Sequence, residues 1–375
     1  MIEIVLTIFL ALAFCYYSWF LWTVKRGLRF AVQPRANQTP VVSIVVAARD
    51  EEANIQSCLN ALAKQDYDVP RYEIIIVDDH SSDHTRSLVQ GYAEKHADPE
   101  IKVISLDIQA GEHGKPAAIS RGVEAARGEI ILCTDADCVV PTRWVHSMAG
   151  CFDPAVAFVA GPVREREAGN LFMKLQSLEF LGLLTTAAGL IGSGTPIICN
   201  GANIAFRKSA FDKIQGYGRM KSSCDDETLM QRIITNRIGR VVFNADVQAM
   251  VATNTPGSFR EFLNQRTRWA AKRGRYDDPF ILLRLIGLYL FFLGLLLSAI
   301  ASIMLPALRS AVVAILILKA LAEFVVLNSG AQLLHSRLRL SYFLIAEVFH
   351  VPYIAIAAFI GQIKSIRWKG RILDQ

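Results

Sequence analysis

Residues 3 to 23, EIVLTIFLALAFCYYSWFLWT, form one apolar run whose only charge is an acid at its very start. At 1.5 Å per residue such a helix is long enough to cross a bilayer. The run dictates a chain divided between lipid and water, and the composition agrees. Of 375 residues, 52% are hydrophobic and 20% charged, and a mean hydropathy of +0.31 is too apolar for an ordinary soluble globule of this size. A cleaved signal peptide would carry its basic residues ahead of the apolar run and end in small residues. Here Lys25, Arg26, Arg29 and Arg35 follow it instead. By the positive-inside rule they place the N-terminus outside and the next domain in the cytoplasm.

A second apolar block, Phe280 to about Gly330, is roughly twice the ~20 residues one span requires. Pro306 and Arg309 near its middle predict two helices joined by a tight turn. Lys319 and Glu323 in the second stand at i,i+4 and can pair on one face, the commonest way such charges survive in lipid. After a basic loop (His335, Arg337, Arg339) comes a third apolar stretch, Leu340 to Ile360, and then Lys364, Arg367, Lys369 and Arg371. If all three segments span, the basic tail lies outside, against the positive-inside rule. The last, which contains Glu347, His350 and Pro352, is therefore expected to be re-entrant or interfacial. The predicted organisation is an anchor at 1–26, a cytoplasmic domain at 40–277, membrane helices at 278–362 and a basic tail at 363–375.

Within 40–277 strand and helix alternate. The strands are predicted at 41–48, 72–77, 101–106, 129–134 and 155–163, with helices from Glu51, Asp83 and Lys115 and after Pro141. β-Branched runs with short polar connections predict an α/β, mostly parallel sheet covered by helices, with ligands at the carboxyl ends of the strands. A further apolar stretch, Leu171 to Ile198, could be taken for a span, but the motifs on both sides must share one compartment. It is expected at the membrane surface, shaping an acceptor entrance. Seven cysteines without a C-x-x-C pair argue against a disulfide framework or zinc ribbon. A net charge of +6 in such a chain fits cytoplasmic membrane flanks rather than nucleic-acid binding.

Three acidic clusters fall at the strand ends: Arg49-Asp50-Glu51-Glu52, Asp78 to Asp83, and Asp135-Ala136-Asp137. Helix capping accounts for Asp83. It accounts less well for Asp79, Asp135 and Asp137, since several like charges on one sheet edge repel unless a cation sits among them. A divalent ion shared between carboxylates and substrate phosphates is the economical answer.

The motifs V-S-I-V-V-A-A-R-D-E-E, V-D-D-H-S-S-D, G-K-P-A, T-D-A-D, G-A-N-I-A-F-R, D-D-E-T-L and Q-R-T-R-W, in this order, resemble those of membrane-anchored family 2 glycosyltransferases, from end to end of the chain. That resemblance implies a GT-A (Rossmann-like) nucleotide-sugar domain with one N-terminal and two to three C-terminal membrane helices, and relatives as diverse as cellulose and hyaluronan synthases and ceramide glucosyltransferase. It assigns Asp79 to the uracil base, with Ala48 to Glu51 around it, Lys115 to the nucleotide and Asp135 to the ribose. Asp137 is assigned to an Mg²⁺ or Mn²⁺ ion on the diphosphate. Asp226 is the expected general base, with Asp225 where relatives more often carry Glu. Arg268 is assigned to the diphosphate, and Trp269, Gln265 and Gly201 to the acceptor end.

Plainer readings stand beside these. Lys115 can be solvated, 225–227 can be an acidic helix start, and Lys272, Arg273 and Arg275 after the Q-R-T-R-W motif can meet lipid headgroups. Cys199 needs no reactive role, and the G-L-I-G-S-G run lacks the lysine and preceding strand of a phosphate loop. The expected activity is inverting transfer from a UDP-sugar to a lipid, lipid-linked or polysaccharide acceptor at the inner membrane. The competing classes are a metal-dependent nucleotidyl or phosphoryl transferase and a silent membrane scaffold.

Overall fold

The structure, a computed structural model, describes residues 2–35, 39–166, 169–217, 225–270, 278–363, 367–368 and 371–372. The chain opens with helix α1 (Ile2–Gly27), then alternates β1 (Val42–Ala48), α2 (Ile55–Leu62), β2 (Tyr72–Asp78), α3 (Thr85–Lys95), β3 (Ile101–Ser105), α4 (Lys115–Ala125), β4 (Ile130–Asp135) and α5 (Trp144–Ala149). β5 (Val156–Ala160), β6 (Val163–Glu165) and the long α6 (Leu171–Gly192) follow, then β7 (Ile204–Arg207), α7 (Lys208–Lys213), α8 (Asp225–Thr235), β8 (Arg240–Phe243), β9 (Val251–Thr253) and α9 (Phe259–Ala270). Three apolar helices follow: α10 (Pro279–Ala301), α11 (Arg309–Leu333) and α12 (Leu340–Ile363). Beyond them Arg367–Trp368 pairs antiparallel with Arg371–Ile372.

The main sheet has seven strands in the order β3-β2-β1-β4-β7-β5-β8. β1 to β4 run parallel, and β7 is inserted antiparallel between β4 and β5. Buried on both faces, β1, β2 and β4 are apolar almost throughout, as a covered parallel sheet requires. The expected strand over 155–163 is two strands, because Gly161 and Pro162 break it. A Cβ on Gly161 would meet the buried Asn203 side chain at 2.3 Å, and the Pro162 carbonyl accepts from that same amide. β6 then pairs with β9 in a separate ribbon.

Five helices among the described residues are long and apolar enough to cross a membrane: α1, α6, α10, α11 and α12. α6 is the most buried of them, packed against α1 and α11 and against strands β6 and β8. The approach to α1 demands glycine, since a Cβ on Gly27 would lie 1.7 Å from the Gly189 carbonyl oxygen. α10 and α11 meet at the turn expected around Pro306.

The Lys319–Glu323 pair forms at 2.8 Å, and its setting is richer than the sequence indicated. Lys319 is fully buried and also bonds Glu347 of α12 at 2.8 Å, while Glu323 accepts from the Tyr17 hydroxyl of α1 at 2.6 Å and faces His350 at 3.1 Å. Opposite charges and hydrogen bonds satisfy one another here, which is what permits them among apolar helices. α12 is continuous through Pro352 and packs on α9 as well as on α10. Tyr353 lies against Phe262 of α9.

Candidate active site

Register brings the acidic loops together before any side chain is considered. Ala48 at the end of β1 stands beside Asp78 of β2, and Ala47 beside Asp135 of β4, so the three strand ends open on one edge. Several of the acids bind backbone there. Asp50 accepts from Ser82 N–H at 2.7 Å, Asp83 from Thr85 N–H at 2.9 Å and Glu52 N–H at 3.0 Å, and Glu52 from His84 N–H at 3.1 Å. Asp50 itself is in the left-handed region (φ 49). α2 accordingly begins at Ile55 rather than Glu51. These bonds lock the β1 and β2 loops to each other, and Glu51, Asp79, Asp135 and Asp137 are left facing a common cavity.

Asp79 is nearly buried. It accepts from Gly114 N–H at 3.1 Å, with His80 Nδ1 at 3.0 Å. Lys115, the next residue, opens α4 and places Nζ 2.6 Å from Asp135 Oδ1. Asp137 is pushed up to about 6 by burial, with the neighbouring Asp135 and Glu51 carboxylates adding to it. Donor atoms of Asp135, Asp137 and Cys138 lie within 4.8 Å of one another. The set fits a hard divalent cation through its carboxylates. Burial pushes the Cys138 thiol well up, and it leans on Asp137 Oδ1 at 3.5 Å, so it acts as a donor to the carboxylate rather than as a ligand.

The far wall comes from the second half of the domain. Asp226, in the first turn of α8, meets Gly201 so closely that a Cβ there would sit 3.2 Å from its Oδ2 and 3.0 Å from Lys115 Nζ. Gly201 thus lets the Asp226 carboxylate and the Lys115 ammonium flank one point. α9 supplies Gln265, Arg268 and Trp269. Lys272, Arg273 and Arg275 lie outside the described residues.

Ala48, Glu51, Asp79, Lys115, Asp135 and Asp137 line one cavity of about 1550 Å³ together with Gly201, Asp226, Gln265, Arg268 and Trp269, whereas Asp50, Glu52, Asp78 and Asp83 stand outside it. It runs from the acidic sheet edge past α6 and α9, then between α10 and α12 as far as Glu347 and His350. Its walls are largely apolar on that side, with Phe292, Leu285 and Ile354 among them.

Sequence reasoning left three residues at this site unassigned. Arg266, inside the Q-R-T-R-W motif, is buried and forms a two-nitrogen fork on Glu179 of α6, at 2.9 and 2.6 Å. Glu165 of β6 lies 3.6 Å from the same guanidinium. An isolated Glu in the apolar run of α6 was the available signal, because a charge there requires a partner. Burial pushes Glu165 up to about 7, against the opposing pull of Arg266. Since the folded protein holds that proton above the ordinary carboxylate value of 4.5, stability falls as pH rises from about 4.5 through 7. The difference between the two values corresponds to about 3 kcal/mol. Glu165→Gln is therefore expected to melt higher than wild type in detergent at pH 8 and alike at pH 4. An equal difference at both pH values would show that Glu165 does not titrate there.

The model of glycosyl transferase family 21 matches residues 5–374, in line with the glycosyltransferase resemblance that the motifs carry. Poly-β-1,6-N-acetyl-D-glucosamine synthase of Staphylococcus epidermidis is 25% identical over 244 residues, 64% of this chain and 56% of that one. The probable glycosyltransferase YdaM of Bacillus subtilis is 30% identical over 237 residues, 62% and 55% of the two chains. The chain thus spans little more than half the length of these curated relatives. The mannosyltransferase PcManGT of Pyrobaculum calidifontis, solved with GDP-Man and Mn²⁺, superposes with a TM-score of 0.62 at 22% identity over 96% of this chain and 98% of that one. That likeness shows the fold, the GT-A domain with membrane-type helices that the motifs implied.

Proposed function

The chain belongs to glycosyl transferase family 21, and from that premise we propose that it transfers a hexose, with inversion, from a UDP-sugar to a lipid or glycan acceptor at the cytoplasmic face of the cell membrane. One observation carries the reading: Asp226 and Lys115 flank Gly201 in the cavity that also holds Asp135 and Asp137. A base for the acceptor and a cradle for the donor diphosphate share one chamber. Asp79 and the Ala48 to Glu51 segment take the uracil end, and Asp135, held by Lys115, takes the ribose. Arg268 binds the diphosphate, and Asp226 removes the acceptor proton as the hydroxyl attacks from the face opposite the nucleotide. Asp137 and its neighbours suit Mg²⁺ or Mn²⁺, which when bound stabilises the negative charge of departing UDP. PcManGT, solved with Mn²⁺, has the same fold.

The apolar end of the cavity favours an acceptor with a lipid portion, reaching the site from the inner leaflet. We place α1, α10 and α11 across the membrane and α12 as a re-entrant or interfacial helix against α9 and α10, which keeps the basic tail in the cytoplasm. Incubation of the detergent-solubilised protein with UDP- and GDP-sugars and an inner-membrane lipid extract tests the whole reading. Nucleoside diphosphate release with a glycosylated lipid is expected. Pyrophosphate or nucleotidyl products would identify a phosphorus-transfer enzyme instead, and no turnover with any donor would identify a scaffold.

Arg268 and Trp269 are neighbours that should fail differently. Arg268→Ala should depress both sugar transfer and slow donor hydrolysis by water, since a guanidinium on the diphosphate serves either nucleophile. Trp269→Ala should slow transfer about tenfold, the scale of one aromatic contact, with a smaller effect on hydrolysis. UDP release measured with and without acceptor separates the two. Equal losses in both reactions for Trp269→Ala would reduce the tryptophan to a membrane-interface anchor.

A further inference from the structure

Arg268 and Trp269 ride on a short helix at the mouth of the cavity, and something must fix its rotation. The structure points to the residue two places before Arg268. Arg266 is 4% exposed, and its guanidinium stands 4.3 Å from the centre of the Trp269 ring and 4.8 Å from that of Phe262. Its nitrogens bond Glu179 of α6 at 2.6 to 3.1 Å and the side-chain carbonyl oxygen of neighbouring Gln265. Tyr353 of α12 donates its hydroxyl to Glu179 at 3.1 Å, and Glu165 of β6 closes the other side at 3.6 Å. Four elements, α6, α9, α12 and β6, therefore converge on one buried cation.

We propose that Arg266, held by Glu179, which Tyr353 steadies in turn, is a positioning residue for the acceptor: it lies against the indole of Trp269, sets the plane of that ring, and leaves the acceptor a single face to approach. This rests on the glycosyltransferase reading and on Trp269 contacting the acceptor. The physical argument is one of matched geometry. A guanidinium is planar and can spend its edge on a carboxylate while its face rests on an aromatic ring, which an ammonium cannot do. A cation required only for solubility or lipid attraction would point outward rather than be buried under two carboxylates and two aromatic rings. Tyr353 extends the arrangement into the membrane helices, so that the plane of Trp269 is set relative to the part of the cavity through which a lipid portion would enter.

The test uses the full-length protein in detergent with a UDP-sugar and the lipid acceptor that wild type glycosylates. Arg266→Lys keeps the charge and loses the fork and the flat face. It is expected to raise the acceptor KM about tenfold, the scale of one lost charge-assisted bond, and to leave the donor KM within twofold. Trp269 emission, taken as the difference from Trp269→Phe, is expected to shift to the red and become more accessible to a neutral quencher. Glu179→Gln should produce the same pair of changes, and Glu179→Asp should recover part of them. In an Arg266→Lys background Glu179→Gln should add little, because both act through one contact. Should those variants fail to fold, Tyr353→Phe removes only the hydroxyl and is expected to show a smaller acceptor effect, about twofold to threefold. An unchanged acceptor KM in folded variants, equal losses for donor and acceptor, or full additivity would each overturn the proposal. Absence of transfer in wild type would instead overturn the glycosyltransferase reading.

Discussion

Asp226→Asn is expected to bind the nucleotide sugar as wild type does and to lose transfer by about 10³-fold, within the range that a positioned general base contributes. The amide fills the space of the carboxylate but accepts no proton from the acceptor hydroxyl. Its neighbours define the expectation further. A Cβ on Gly201 would stand 3.0 Å from Lys115 Nζ and 3.2 Å from Asp226, so a side chain there would press on both. On the proposed reading the carboxylate would act within reach of Lys115, beside the path of the attacking oxygen. Nucleotide binding measured by calorimetry and kcat measured by UDP release separate the two effects. Glu227 also lines the cavity and serves as the control. Glu227→Gln should keep kcat within a few-fold, and loss of turnover there with activity retained in Asp226→Asn would move the base by one residue.

The acidic edge of the sheet was legible because its information is local. A β-branched run ending in Asp135 or in Asp78-Asp79 announces both the strand and the acid at its carboxyl end, and parallel pairing then places such ends side by side. Lys115 was legible for the same reason, standing at the first position of α4. What was not legible depends on partners far away in sequence. Whether Arg266 is solvated or buried is decided by Glu179, 87 residues earlier, and no helical periodicity expresses that distance. The antiparallel β7 was read only as a motif, because its place between β4 and β5 is a choice among sheet partners rather than a property of I-A-F-R. The membrane helices show both cases. Apolar length announced them, and i,i+4 spacing announced Lys319 with Glu323, but Tyr17, Glu347 and His350 reach that pair only through helix packing. Helix starts shifted where loops lock each other, as at Asp50 and Asp83, since the capping partner there lies in another loop.

Asp137→Ala is expected to abolish transfer and to remove the dependence of UDP binding on Mn²⁺ or Mg²⁺. Loss of a coordinating carboxylate should weaken the cation by more than the roughly 10–100-fold typical of outer partners. The site carries a cost that makes the expectation checkable without turnover. Asp137 is buried beside Asp135 and Glu51 and is pushed up to about 6, so that without a cation its ionised form weakens the fold above the ordinary carboxylate range. The penalty rises from about pH 4 through 6 and stays in full above it, reaching about 3 kcal/mol from the free-energy equivalent of displacing a carboxyl that far. Asp137→Asn, which keeps the volume and drops the charge, should therefore melt higher than wild type in a chelator at pH 8, and alike at pH 4. Adding Mn²⁺ should raise the melting temperature of wild type and leave Asp137→Asn where it was, because only the carboxylate gains from the ion. UDP titrations with and without Mn²⁺ complete the comparison. If Asp137→Ala and Asp137→Asn bind UDP with undiminished metal dependence while wild type shows no pH-dependent deficit in the chelator, the cation is held elsewhere and Asp137 must be reassigned to the nucleotide itself.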